Sequence, residues 1–322
     1  MKNPLPTISI LIALLVLPFS AKSQTRQFNS DNVNCTYETY KGRIHGKYIS
    51  YYPNGIKKAE GKFENNYRSG KWKLWDSSGN LMVVREYFSP LEYSSFTPNA
   101  EENATPLHNS KSVYTILYNS ENFIINYTLH KEMIIWEKRI WRWIPIEDNN
   151  MLFENNALFN TIHNNVMQGN IIAYSSSDDL FTRKLNTSEI DTANVNIIGF
   201  KIKEDHTFDK PRLLSETRII GICPVALNKI TKDTIDLYWI QFPEARKYLS
   251  RINVVKKEGH PVIFSLDEVF FYRIFNSVIY KEDNIYNRKI SDYKTGTDIQ
   301  KEAEKIEINL IEMEHDLWFT EF

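Results

Sequence analysis

The densest group of residues able to do chemistry lies near the C-terminus, where Glu312, Glu314, His315 and Asp316 put three carboxylates and an imidazole within five positions. Such a set could hold a metal ion. Zinc and hard-metal sites, however, draw their ligands from more than one turn of chain, and this cluster supplies only one. The other reading is a polar face or a partner contact. Elsewhere the chain has seven His and two Cys, and it lacks G-x-S-x-G, a Gly-rich phosphate loop, H-E-x-x-H and paired C-x-x-C spacing. No catalytic, cofactor-binding or metal-ligating residue is therefore assigned. A metal-dependent enzyme using Glu314 and His315 stands as a third hypothesis behind a structural and a binding role.

The elements that would position these residues begin with residues 1–23. A lone Lys2, an apolar run over residues 8–17, then Pro18 and the small residues Ser20, Ala21 and Ser23 have the layout of a secretory signal peptide. The run is too short to span a bilayer comfortably, and cleavage is expected near Ser23. Removing Lys2 and Lys22 leaves 37 of the 39 basic side chains against 40 acidic ones. No basic excess argues for nucleic acid or an anionic membrane as the main partner, and no nucleic-acid partner is expected. In an oxidising compartment Cys35 and Cys223 could pair; a buried free thiol at Cys223 explains its apolar setting equally well.

From residue 42 to 87 the chain repeats itself. Gly46-Lys-Tyr-Ile-Ser-Tyr51 with Gly55 recurs as Gly70-Lys-Trp-Lys-Leu-Trp75 with Gly79, and Phe63 recurs as Tyr87, all 24 residues apart. Each copy offers an aromatic strand, a Gly turn and a second strand, the pattern of successive hairpins. Gly42, Gly61 and Gly70 would allow positive φ or bulges at the reversals. Tyr48, Tyr51, Trp72 and Trp75 read as the module's own core or as ligand-facing aromatics. Two copies are few for independent stability, so one end should dock on another surface.

Residues 89–112, rich in Pro, Ser and Asn, read as a linker. Strands are expected over 113–118 and 123–129. Trp136, Ile140, Trp143 and Ile144 fall on one helical face, with a strand as the alternative. Leu158, Ile162 and Val166 stripe a helix closing at Gly169, and a strand follows over 171–174. Two apolar runs, 219–227 and 235–242, read as paired central strands ended by Pro243, with a helix over 244–249. Ser265-Leu-Asp-Glu268 and Thr297-Asp-Ile-Gln300 read as capping boxes. The second of these opens a helix with Ile299, Ala303, Ile306, Leu310 and Met313 on one side. The fold class is α+β: a small antiparallel β-meander over 24–88, then a larger α+β domain over 113–322 with a central hairpin.

Several collinear motifs carry a family resemblance. They are Trp136-Glu-Lys-Arg-Ile-Trp-Arg-Trp-Ile144, Gly169-Asn-Ile-Ile-Ala-Tyr174, Lys201-Ile-Lys-Glu-Asp205, Arg218-Ile-Ile-Gly-Ile222, Tyr238-Trp239, Phe242-Pro243-Glu244 with Arg246, Arg273-Ile-Phe-Asn-Ser277, Asn284-Ile-Tyr-Asn-Arg288 and Glu314-His-Asp-Leu-Trp318. In this order residues 132–318 resemble the GldN/PorN family of the Bacteroidetes type IX secretion and gliding apparatus, while the 24-residue unit resembles a short MORN-type repeat. The first resemblance implies a non-enzymatic periplasmic subunit, joined to the outer membrane through a lipoprotein partner, closing into a homo-oligomeric ring and contacting the periplasmic part of the inner-membrane motor. No small-molecule substrate or cofactor is implied. Contacts would fall among Trp136, Arg139, Trp141, Arg142, Trp239, Arg246 and Trp318, since Trp and Arg dominate interface energetics; buried core is the competing reading. His206 stands where the family pattern has Trp, and Cys223 where it has a small residue. The repeat module is not usual for the family. The alternative function is accordingly a paralogue acting outside the ring as a repeat-borne binding adaptor.

Overall fold

The computed structural model describes residues 23–29, 33–40, 43–89, 92–96, 108–109, 117–126, 128–147, 149–209, 214–256 and 262–318. Nearly all of the expected signal segment, most of the expected linker, Gly42 and residues 113–116 of an expected strand lie outside them.

Among the described residues, eight antiparallel strands form the first sheet in sequence order: β1 (Gln24–Asn29), β2 (Asn34–Tyr40), β3 (Arg43–Tyr51), β4 (Lys57–Glu64), β5 (Tyr67–Trp75), β6 (Leu81–Ser89), β7 (Glu92–Phe96) and β8 (His108–Asn109). The repeat is visible in its turns. Tyr52 N donates to Ile56 O at 2.8 Å, and Asp76 N to Asn80 O at 2.9 Å, 24 positions later. Gly55 and Gly79 take φ of +83° and +88° in these turns, a region closed to most side chains. The alternation of the strands puts Tyr48, Phe63, Trp72 and Tyr87 on one buried face. Gly61 sits at a bulge in the β4–β5 pairing, and a Cβ there would lie 2.1 Å from the Trp72 ring. Gly61→Ala should therefore destabilise the chain by roughly 1–3 kcal/mol through overpacking. Urea unfolding checks this, and an unchanged midpoint would count against the close approach.

The larger unit contains β9 (Ile134–Pro145), α1 (Asn150–Phe153), α2 (Ala157–Met167), β10 (Ala173–Tyr174), β11 (Val195–Asp209), β12 (Leu214–Asn228), β13 (Thr234–Asp236), β14 (Trp239–Gln241), α3 (Phe242–Leu249), β15 (Asn253–Lys256), β16 (Val262–Ser265), α4 (Leu266–Phe271), β17 (Val278–Glu282) and α5 (Thr297–Leu317). Its sheet runs β10-β14-β12-β11-β9-β17, with β13 also on β12, and β15 and β16 form a separate pair. The architecture is α+β.

Three expectations change. The segment with Trp136, Ile140, Trp143 and Ile144 is strand β9, and its alternation sends Ile140, Arg142 and Ile144 to one face and Trp141 and Trp143 to the other. The central ladder is β11 with β12, while the run 235–242 pairs with β12 only in two short pieces. Pro224 stands at the break: its carbonyl accepts from Leu237 N, just past β13, at 3.0 Å, but it has no N–H to return. Thr297 is the first helical residue of α5 rather than its cap, and the chain enters from Gly296 at φ +56°. The Ser265–Glu268 capping box does form, with Glu268 N donating to Ser265 Oγ at 3.2 Å and Ser265 N to Glu268 Oε2 at 2.7 Å.

One face of the second sheet packs Phe200, Ile202, Ile222 and Ile240 against Leu158, Ile162 and Val166 of α2 and against α3 and α4. Helix α5 is buried on two sides in succession. Ala303 and Ile306 meet Ile140, Ile279 and Ile290 of the body; Ile308, and Trp318 just beyond the helix, join Tyr48, Phe63 and Trp72 of the first sheet. Met313, expected on the buried stripe, is exposed because the contact has moved round the helix by then. Phe208, near the end of β11, completes the same shared cluster. Among the described residues no helix is long and apolar enough to cross a membrane.

Candidate functional site

The C-terminal acidic cluster is the place where α5 meets the repeat sheet. Glu312 accepts from the Tyr48 hydroxyl at 2.7 Å, pairs with Lys58 at 3.0 Å and accepts from His315 Nδ1 at 3.1 Å. Lys58 also reaches Asp316 at 2.6 Å. Arg68 donates to Glu314 at 2.7 Å while its guanidinium lies 5.3 Å from both the Trp72 and Trp318 rings. Arg85 stacks 3.8 Å from the Trp318 ring. The cations from the first sheet thus neutralise the carboxylates of α5, and the cluster is an internal seam. Among the described residues, no three His, Cys, Asp or Glu side chains gather as metal ligands would.

Burial alone would raise the Glu312 and Glu314 carboxyls. For Glu312 the His315 hydrogen bond, Lys58 and the Tyr48 hydroxyl outweigh it, and for Glu314 Arg68 does, so both stay below the usual range. His315 is lowered by burial. Its Nδ1–H points at Glu312, and its buried Nε2 has no hydrogen-bond partner among the described residues, which suits a neutral ring with a bare lone pair. A folded pKa below the unfolded value of about 6.5 gives stability that is complete above that pH and declines as pH falls. The urea midpoint should therefore fall as the pH is taken below about 6.5, and His315→Gln should remove that portion of the fall.

A second buried network lies along β11. Glu204 accepts from Arg142 Nε at 2.6 Å, from Arg273 at 2.8 and 3.1 Å, and from His206 Nε2 at 2.8 Å. Arg142 continues to Glu307 of α5 at 2.6 Å. Burial opposes ionisation of Glu204, but Arg273 and Arg142 hold its pKa well below normal. Because alternate residues share a face, Phe200 and Ile202, then Glu204 and His206, then Phe208 run in that order from the body core, through the network, to the seam.

A protein-family profile described as "Gliding motility associated protein GldN" matches residues 129–319, well over half of the chain. The chain belongs to the GldN family. No curated protein matches it. The family is a structural component of gliding motility and not a known enzyme family. The GldN region starts just before β9 and takes in α5, whereas β1 to β8 precede it. The seam therefore joins the family region to a module outside it.

Within the GldN region most of the expected contact residues are turned inward. Trp141, Arg142, Trp239, Arg246 and Trp318 are buried in the chain itself. Arg246 is clamped by Asp267 at 2.7 and 2.9 Å and by the Ile124 carbonyl at 2.6 Å. Trp136 is half-buried beside the seam, and Arg139 is partly exposed while bridging both oxygens of Asp205 at 2.6 and 2.8 Å across the ladder. In the module Tyr48 and Trp72 are core, and Tyr51 and Trp75 are half-buried on strand positions facing away from α5. Reasoning from sequence missed Lys58, Arg68, Glu204 and Arg273. One signal was present: Arg68 stands 24 residues after Ile44, a charge at the repeat's apolar position.

Cys35 and Cys223 are both buried free thiols, in separate clusters, which is the free-thiol alternative and not the possible disulfide. Burial pushes Cys35 up to about 12 and raises Cys223 as well. Neither should react with Ellman's reagent in the native chain at pH 8, and both should after urea without reductant. Fewer than two thiols released would revive the disulfide.

Proposed function

We propose that this chain is a non-enzymatic structural subunit of the type IX secretion and gliding machinery, held in the periplasm beside the outer membrane through a lipoprotein partner. Copies would close into a ring by repeated heterologous contacts, and the ring would touch the periplasmic part of the inner-membrane motor. The observation carrying this reading is the GldN match over residues 129–319, which includes the whole second sheet and α5. The shared core and paired charges of the seam suit a part that passes force on, because packed interiors transmit strain.

With most of the expected Trp and Arg side chains buried, the contact surface is better sought at Trp136, Arg139 and the segment before α5. There Ile285 is 92% and Tyr286 68% exposed, with Arg288 stacked 4.6 Å from the Tyr286 ring. The test is affinity purification of the tagged chain from its own membranes, followed by sizing. A megadalton species containing an outer-membrane lipoprotein, lost in Ile285→Asp with Tyr286→Asp, is the expected result. A small soluble species without that partner overturns the ring reading and favours the adaptor.

A further inference from the structure

The second face of the larger sheet carries an aromatic and lysine floor: Trp141, Cys223 and Trp239 are buried there, with Tyr174 beside them and Tyr280 partly buried. What covers this floor is a strap, residues 175–185, rather than a helix. It is tied at its base by Ser175 N to Arg183 O and Leu185 N to Ala173 O, both at 2.8 Å. Two of its side chains reach the floor. Asp179 takes Lys203 at 3.2 Å and Lys281 at 3.5 Å. Phe181 stands edge-on to Tyr174 and Trp239 at ring separations of 5.5 and 6.4 Å. Its ring fills a notch over Gly221, where a Cβ would lie 2.7 Å from the ring. Leu180 between them points away and is 66% exposed.

Two features mark this occupancy as replaceable. Phe181 is held at φ +58°, a conformation unfavourable for a bulky side chain. The charges are also uneven. Lys203 and Lys281 are only 3% and 6% exposed and, among the described residues, share the single carboxylate of Asp179, with Lys203 also donating to the Asp179 carbonyl at 2.7 Å. The neighbouring Lys201 is already matched by Asp236 at 2.6 Å, and the strap's other carboxylate, Asp178, is turned to Leu180 N at 2.9 Å. Two buried ammonium groups over the Trp141 ring, at 4.0 and 5.5 Å, make a strong site for carboxylates.

We infer that the strap is the internal occupant of a peptide-docking site, and that the external ligand is an extended segment of another protein carrying an acidic residue two positions before an aromatic one. Such a segment supplies the carboxylate and the ring without the positive φ, and an adjacent acid would serve the second lysine. Its exposed middle residue would be unconstrained. The site does not depend on ring assembly.

The probe is a fluorescein-labelled peptide of sequence SSDDLFTR, titrated by polarisation into the full mature chain. Asp179→Ser with Phe181→Gly empties the site and should bind the probe at least tenfold more tightly than the unsubstituted chain, which must first displace its own strap. Adding Lys203→Met and Lys281→Met, or using a probe with Phe changed to Ala, should each lose at least tenfold. Equal binding by the emptied and unsubstituted chains, or binding indifferent to the two lysines, overturns the proposal. Should the emptied chain not fold, the unsubstituted chain decides: millimolar probe must speed amide hydrogen exchange in residues 176–183 and leave β11 and β12 unchanged, and no acceleration overturns the site. Light scattering that finds the emptied chain free of probe but dimeric would assign the site to a second copy and overturn the external ligand.

Discussion

Glu312→Ala should cost the chain about 3–5 kcal/mol, the range for breaking a buried ion pair and leaving its partner unmatched. Lys58 would keep only Asp316, which is largely exposed, and the Tyr48 hydroxyl and His315 Nδ1–H would both lose their acceptor in a buried seam. The intact pair contributes little net, since desolvating two charges consumes most of their attraction. Its removal is therefore the informative change. Replacing both partners, as in Lys58→Met with Glu312→Leu, should recover much of the loss because no buried charge is stranded. Urea unfolding gives the magnitude, and limited proteolysis should show the first sheet cut earlier once α5 no longer holds it. Asp298→Ala, which breaks an exposed pair with Lys301 at the other end of the same helix, should leave the midpoint unchanged. If Glu312→Ala unfolds like Asp298→Ala, the seam does not hold the two parts together.

The sequence made the local devices legible where one residue type can do one job. The 24-residue repeat carried its turns because Gly55 and Gly79 supply positive φ, and the strip Leu158, Ile162 and Val166 marked α2 because three buried aliphatics at helical spacing have one face to fill. It was ambiguous where two periods coincide. Ile140 and Ile144 are four apart, which suits a helix face and a strand face alike, and only the ladder with β11 decides. Long-range charge pairing was not legible at all. Glu312 and Glu314 looked like a cluster in search of a metal because Lys58 and Arg68, their partners, lie about 250 positions earlier. The expected docking of the repeat module was sound on physical grounds, since so small a sheet needs a surface for its aromatic face. That the surface would be α5 depends on the whole body having folded first.

Glu204→Ala should have an effect as large, again about 3–5 kcal/mol, by the same mechanism at a more central place. The network holds two carboxylates, Glu204 and Glu307, against Arg142 and Arg273. Removing Glu204 leaves two guanidiniums for one carboxylate, and Glu204 is the fully buried member while Glu307 is partly exposed. Arg273→Ala should cost less, because Arg273 is nearer solvent and Arg142 still faces both carboxylates. The acid limb follows the same sign. A folded pKa held far below the unfolded value of about 4.3 means the contribution is complete above that pH and is lost as pH falls towards the depressed value. Glu204→Ala should accordingly flatten stability below about pH 4.3, relative to the unsubstituted chain. The place of Glu204 on β11 also bears on how the two parts are coupled, because the same strand face reaches the body core at Phe200 and Ile202 and the seam at Phe208. Hydrogen exchange in Glu204→Ala should therefore quicken at both ends of β11 together, whereas loosening confined to residues near Arg273 would show that the body and the module are held by separate contacts.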